Sequence, residues 1–115
     1  MPRLRIKVSE EFEPVVEVVD GRLKAVYVNY GPVPAQVLEV GPEDNGGFAE
    51  TEPVPSGEET VINMPVPSGW DGPDLRIYVR YRALHGGPEF ILYTDLLQWS
   101  SGGWGLLSEH EREQD

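Results

Sequence analysis

The chain has no cysteine and only two histidines. Without cysteine it can form no disulfide, no thiolate zinc site and no thiol nucleophile. His85 lies in a glycine-rich turn pattern and His110 in a polar stretch, so neither is placed beside a nucleophile. Motifs such as Gly-x-Ser-x-Gly and His-Glu-x-x-His are absent as well. We therefore predict no catalytic residues and no cofactor, and we expect a protein that is not an enzyme.

Long apolar runs are absent, and none approaches the ~20 residues that span a bilayer. The start, Met-Pro-Arg-Leu-Arg-Ile-Lys-Val, enters an alternating pattern and lacks the apolar core of a secretory signal. We therefore expect cytoplasmic residence, with a virion component as an open alternative. The 115 residues suit one domain. We place it at residues 1–107, followed by a polar C-terminal tail, 108–115, that we expect to fray.

No helical period of convincing length appears, whereas strand patterns recur at short intervals among 13 glycines and 11 prolines. The clearest strand alternates over residues 75–84. Asp20-Gly21 between two apolar runs predicts a tight hairpin that pairs residues 15–19 with residues 23–30. We therefore predict an all-β fold: a single antiparallel immunoglobulin-like β-sandwich of seven to eight strands with no substantial helix.

Residues 25–35 are Ala-Val-Tyr-Val-Asn-Tyr-Gly-Pro-Val-Pro-Ala, and Val-Leu-Glu-Val follows at 37–40. This succession of strand, Asn-x-Gly turn and strand resembles the hallmark of bacterial immunoglobulin-like modules of the CARDB (cell-adhesion-related) kind. The resemblance covers residues 25–40 only. It implies that Asn29 and Gly31 close the turn between the second and third strands, and that the role is binding or spacing rather than catalysis.

Basic residues are missing from residues 25–75, which carry nine carboxylates and no Lys or Arg. In an immunoglobulin-type sandwich alternate loops fall at one end, so six oxygen-bearing loop residues are expected to converge there: Asp20, Glu43, Asp44, Asn45, Asp71 and Asp74. Such hard donors suit Ca²⁺, which makes a Ca²⁺-dependent ligand-binding module one hypothesis. The alternatives are a solvated acidic tip built from turn residues, and an acidic decoy of a nucleic-acid-binding protein.

Four long side chains share one face of the strand predicted at 75–84: Arg76, Tyr78, Arg80 and Arg82. The arginines either pair with carboxylates of neighbouring strands, such as Glu89, Glu39 or Glu17, or contact a partner. A net charge of −11 argues against nucleic acid as that partner. We therefore prefer a protein.

The predicted last strand, 89–99, is apolar on both faces and should be covered on both. The cover is either residues 104–107, folded back so that Trp99 and Trp104 pair, or a second subunit. The candidate partner-binding residues here are Ile91, Tyr93, Trp99 and Trp104. Our leading prediction is a non-enzymatic binding or structural assembly module that acts through protein–protein contacts of an apolar and aromatic sheet face, with a homodimer as one form.

Overall fold

The computed structural model describes residues 1–8, 14–42, 47–48, 52–65, 74–98 and 103–114, and these form nine β-strands and no helix. The strands are β1 (Leu4–Ile6), β2 (Val16–Val19), β3 (Arg22–Asn29), β4 (Ala35–Pro42), β5 (Gly47–Phe48), β6 (Glu59–Pro65), β7 (Asp74–Ala83), β8 (Glu89–Gln98) and β9 (Trp104–Gln114). The predicted all-β class is confirmed. In this described part, no helix is long and apolar enough to cross a membrane.

The strands form one sheet in the order β1-β3-β2-β9-β8-β7-β4-β5, with β6 paired to β3 outside that path, and every pairing is antiparallel. β1 and β2 follow one another along the same edge of β3, and β6 follows the other edge. The bridge between Val16 and Trp104 joins this group to β9. The sheet thus has two halves: β1, β2, β3 and β6 form the first, and the other five strands form the second. Because pairing runs through both, a sandwich of two separate sheets stays a prediction.

The hairpin predicted at Asp20-Gly21 is confirmed. Both residues have positive φ, 53° and 77°, as a tight primed turn requires. β2 and β3 pair from Val19 opposite Arg22 to Val16 opposite Ala25. This register turns the odd-numbered residues of β3 towards the core, and the even-numbered residues near its start towards solvent.

Side chains of both halves enclose one hydrophobic core. Two polar contacts cross it. The Tyr27 hydroxyl of β3 lies 3.3 Å from the Thr94 Oγ1 of β8, and the backbone N–H of Leu4 donates to the Tyr81 hydroxyl of β7 at 3.3 Å. Burial raises the pKa of both tyrosines, so both hydroxyls keep their protons at neutral pH and these polar groups are satisfied inside the core.

Asn29 closes the turn between β3 and β4, which are the third and fourth strands of the chain rather than the second and third that the resemblance implies. Its Oδ1 accepts from the backbone N–H groups of Arg3 and Gly31 at 3.1 and 2.9 Å. Its Nδ2 donates to the carbonyls of Val33 and Val54 at 2.9 and 3.0 Å. A Cβ at Gly31 would lie 2.2 Å from a carbonyl oxygen of the N-terminal segment, so this packing requires glycine. The fully buried amide therefore joins the N-terminal segment, the β3–β4 turn and the segment at Val54.

The predicted fraying of residues 108–115 is wrong for residues 108–114. They continue β9 opposite β8, from Ser108 beside Asp95 onwards, and the last residue lies outside the described part. Carboxylates hold this polar strand against β1: Glu109 accepts from the backbone N–H of Ile6 at 3.2 Å, and Glu111 accepts from Arg5 Nη1 at 3.1 Å and from the Tyr81 hydroxyl. Hydrogen bonds to neighbouring strands stabilise a segment that has no apolar residue of its own.

Candidate interaction face

The outer face of β4, β7, β8 and β9, called the β7 face below, carries the predicted arginines. Arg76, Tyr78, Arg80 and Arg82 alternate along β7 and are partly exposed, while the three residues between them are buried. Opposite them on β8 lie Asp95, Tyr93, Ile91 and Glu89, and beyond these on β9 lie Ser108, His110, Arg112 and Gln114. The prediction that the four β7 residues share one face is confirmed.

Arg80 binds two carboxylates on the neighbouring strands. Its Nη1 lies 2.5 Å from Glu89 Oε1, and its Nη2 lies 3.2 Å from Glu39 Oε2. The Tyr78 hydroxyl also donates to Glu39. That hydrogen bond, together with the guanidinium, holds the pKa of Glu39 below its usual value, whereas burial and the carboxylate raise the pKa of Tyr78 to about 12. Cross-strand pairing with Glu39 and Glu89 is confirmed, and Glu17 lies on β2 in the other half.

Arg76 and Asp95 form a bidentate ion pair between β7 and β8. Nε lies 2.5 Å from Oδ1 and Nη2 lies 3.1 Å from Oδ2. Ser108 Oγ adds a contact of 3.3 Å to Oδ2. The paired geometry favours the ionised carboxylate, and the guanidinium lowers the pKa of Asp95.

Tyr93 is the aromatic centre of the β7 face. The guanidinium carbons of Arg76 and Arg112 lie 5.5 and 5.7 Å from its ring centroid, within the range of cation–π attraction. The imidazole of His110 stacks on the ring with centroids 5.1 Å apart and planes at 20°. Three side chains therefore hold one partly buried aromatic ring in a defined orientation.

The β7 face is charge-balanced. In the part of the chain that the structure describes, four arginines (Arg76, Arg80, Arg82 and Arg112) share it with four carboxylates (Glu39, Asp74, Glu89 and Asp95). The chain as a whole carries −11, so the excess negative charge belongs to residues elsewhere. A partner that approaches this face meets no local charge of one sign.

Two of the predicted contact residues are corrected by the structure. Trp104 is 3% exposed and packs in the hydrophobic core, so its prediction as a partner-binding residue is wrong. Ile91 does lie on the β7 face but is 9% exposed, between Arg80 and Arg112 in the register. Trp99 lies outside the described residues. The described part of the face therefore carries aromatic and charged side chains, together with Leu97, which lies opposite Asp74 and is 39% exposed.

Sequence reasoning missed three residues of this face, namely Asp95, His110 and Arg112. Residues 108–113 alternate Ser, His and Arg with three glutamates, which is a period-2 signal. The signal was hidden because both sets are polar, and strand prediction depends on contrast between apolar and polar positions. Only the pairing of β9 with β8 places Arg112 and His110 beside Tyr93.

The predicted Ca²⁺ ligands lie mostly outside the described residues, which is where Glu43, Asp44, Asn45 and Asp71 fall. Asp20 occupies the β2–β3 turn and Asp74 begins β7. Among the residues that the structure does describe, no group of three or more His, Asp or Glu side chains could hold a metal ion. The Ca²⁺ site stays a prediction, and the melting midpoint with added Ca²⁺ or EDTA tests it.

No protein-family model, curated protein or solved structure matches the chain. The resemblance of residues 25–40 to CARDB-type modules therefore stays a prediction based on the turn at Asn29 and Gly31. Paired guanidinium and carboxylate groups around an aromatic ring can bind the surface of another molecule.

Proposed function

We propose that the chain is a non-enzymatic binding module that contacts a partner protein through the β7 face, centred on Tyr93. The observation that supports this most directly is the arrangement of Arg76, Arg112 and His110 around the Tyr93 ring. Tyr and Arg are the residue types most enriched, with Trp, among the hot spots of protein interfaces. The face presents both types side by side.

Preorganisation also favours binding by this face. Arg76 and Arg80 are held by ion pairs of 2.5–3.2 Å, so their rotamers are restricted before a partner arrives. Ordering a free long side chain at an interface costs about 0.5–1.5 kcal/mol. Side chains that are already ordered avoid part of this cost, which leaves more of the contact energy as affinity.

The strand pairings support an immunoglobulin-like organisation for the module. β7 pairs with both β4 and β8, and β3 pairs with β6. Immunoglobulin domains place strands C, F and G in one sheet and strands B and E in the other. The pairings of β4, β7 and β8, and of β3 and β6, are consistent with that grouping, although the bridge between β2 and β9 joins the two groups into one sheet here. In that correspondence the β7 face is the outer face of the C, F and G strands, with β9 added beyond G.

The test compares two substitutions of the same chemistry. Tyr93→Asp places a carboxylate at the centre of the β7 face, and Tyr30→Asp places one on a 63% exposed tyrosine of the β3–β4 turn. Wild type and both variants are immobilised and exposed to extract of the native source, and bound proteins are identified. We expect the same partner on wild type and on Tyr30→Asp, and its loss on Tyr93→Asp. Equal capture by all three would contradict the assignment of this face.

Light scattering separates a foreign partner from self-contact through the same face. If wild type is a dimer at high micromolar concentration and Tyr93→Asp is a monomer, the partner of the β7 face is a second copy of the chain. A mass that Tyr93→Asp leaves unchanged excludes self-contact through the β7 face and leaves a foreign protein. Melting curves of each variant verify that the fold is retained.

A further inference from the structure

The outer face of β1, β2, β3 and β6, called the β3 face below, differs from the β7 face in its charge. Five cations lie on it or at its border: Arg3, Arg5, Lys7, Arg22 and Lys24. The described carboxylates that point outward from these strands are Glu17, opposite Lys24, and Glu59, opposite Val28. All nine basic residues of the chain thus lie on the two faces. Counted over the described residues of its four strands and their borders, the β3 face holds five cations and two carboxylates, on a chain of −11.

Most of this positive charge is not neutralised within the face. Lys7 pairs with Glu59 at 2.6 Å, and Arg5 pairs with Glu111 of β9 at 3.1 Å. Arg22 and Lys24, at the start of β3, form no ion pair or side-chain hydrogen bond with the described residues, and both are exposed. The free cations therefore concentrate at the end of β3 that carries the hairpin turn.

Apolar side chains lie beside these cations. Val61 on β6 is 49% exposed and Val19 on β2 is 39% exposed, and Pro65 and Val19 both lie opposite Arg22. None of the outward positions of these four described strands is aromatic. Stacking of nucleic-acid bases has no platform here, whereas a segment with both carboxylates and apolar side chains matches the face.

Such a segment is present in the chain itself. Residues 52–58, Glu-Pro-Val-Pro-Ser-Gly-Glu, are exposed except for Val54, and they belong to the stretch that has no basic residue. Their backbone is fixed: Val54 exchanges hydrogen bonds of 2.8 and 3.0 Å with Ala35, and the N–H of Gly57 donates to Asn29 at 2.7 Å. Two carboxylates and two prolines are therefore displayed on a rigid support.

The segment cannot reach Arg22 within one molecule. It leads into β6 at the far end of β3, where Glu59 lies opposite Val28. At about 3.3 Å per residue, Arg22 lies about 20 Å from that pair. The complementary groups can meet only when they belong to different molecules.

We propose that the β3 face docks residues 52–58 of a second copy of this chain, with Glu52 and Glu58 against Arg22 and Lys24. The two surfaces are different patches, so the contact is heterologous and does not close on itself. Repulsion between the net charges of two copies is screened beyond about 8 Å at physiological ionic strength. Local complementarity decides the contact at shorter range. The inference is independent of the partner of the β7 face.

Sedimentation velocity with charge-reversed variants tests the proposal. The average mass of wild type should rise with concentration through the micromolar range. Arg22→Glu/Lys24→Glu makes the face acidic, and Glu52→Lys/Glu58→Lys makes the segment basic. Each variant alone should associate on the order of tenfold more weakly, because two attractions become repulsions. Mixed together, the two variants should associate again, since each face then meets a segment of opposite charge.

The matched control for Arg22→Glu/Lys24→Glu is Arg82→Glu/Arg112→Glu, which makes the same change of net charge on the β7 face and should associate as wild type does. Tyr93→Asp should also leave this association unchanged, so failure of the β7-face proposal would be visible separately. A monomeric wild type at the highest concentration would overturn the inference, and so would a mixture of the two reversed variants that stays monomeric. Binding of the β3 face to anionic vesicles or DNA with no self-association would likewise overturn it.

Discussion

The β7 face and the β3 face both carry basic residues beside carboxylates, but they differ in how these charges are arranged. On the β7 face Arg76 and Arg80 each have carboxylates within 2.5–3.2 Å. On the β3 face Arg22 and Lys24 form no ion pair with the described residues. Paired charges stabilise the fold and orient their neighbours, whereas unpaired charges remain available to another molecule. The nine basic residues therefore divide between a face whose charges are already paired and ordered and a face whose cations remain open to another molecule.

The largest change in stability should come from replacing Arg80, which binds two carboxylates on the β7 face. Arg80→Met leaves Glu39 and Glu89 without their guanidinium, and we expect the free energy of unfolding to fall by about 1–2 kcal/mol. Lys24→Met, the matched change on the β3 face, should stay within about 0.5 kcal/mol of wild type. Urea denaturation at neutral pH measures both. An equal fall in the free energy of unfolding for both variants would show that the cations of the two faces contribute equally to stability.

Acid should act on the β7 face through Glu39 and Asp95. Because their pKa values in the folded protein lie below the ordinary 4.5 and 3.8, the stability they contribute is complete above those values. It is lost as the pH falls through the folded pKa values. Between pH 5 and pH 2 the free energy of unfolding of the double variant Glu39→Gln/Asp95→Asn should therefore fall by about 1 kcal/mol less than that of wild type. Denaturation midpoints across that range provide the measurement, and parallel curves would argue against the two ion pairs.

Glu109 should behave in the opposite sense at the contact between the two halves. Burial raises the pKa of Glu109 by more than the Ile6 N–H and Arg5 lower it. The ionised form is therefore disfavoured in the folded state. Because of this, the stability of the fold rises as the pH falls through the raised pKa. Glu109→Gln removes this cost and should raise the free energy of unfolding at pH 7 by about 0.5–1 kcal/mol. At pH 4 the gain should shrink. A variant that is equally destabilised at both pH values would instead assign the main role to the hydrogen bond from Ile6.

The smallest effect should come from the aromatic centre of the β7 face. Tyr93→Leu removes two cation–π contacts and the His110 stack while keeping an apolar side chain, and we expect a loss of about 0.5 kcal/mol. Tyr30→Leu, on the turn between β3 and β4, should be neutral within the error of thermal melts. If Tyr93→Leu is also neutral, the ring is positioned by the backbone rather than by its neighbours.

Much of the fold could be predicted because its signals are local. The Asp20-Gly21 turn specifies the first hairpin, and the alternation of Arg76, Arg80 and Arg82 with buried residues specifies β7. Pairing of Arg80 with Glu39 and Glu89 could also be anticipated, since long side chains on adjacent strands find opposite charges within reach. The second half of β9 could not, because its stability depends on β8 and on the edge of β1 rather than on apolar residues of its own.

The sequence by itself determined the all-β class, the first hairpin and the inward set of residues on β3 and β7, because turn chemistry and period-2 alternation act between residues close in the chain. The tertiary structure alone decided that Trp104 is buried and that His110 and Arg112 reach Tyr93. It also decided that the nine basic residues divide between one balanced face and one positive face. Those outcomes depend on which strands become neighbours, and strand order is set by packing of the whole core rather than by any single segment.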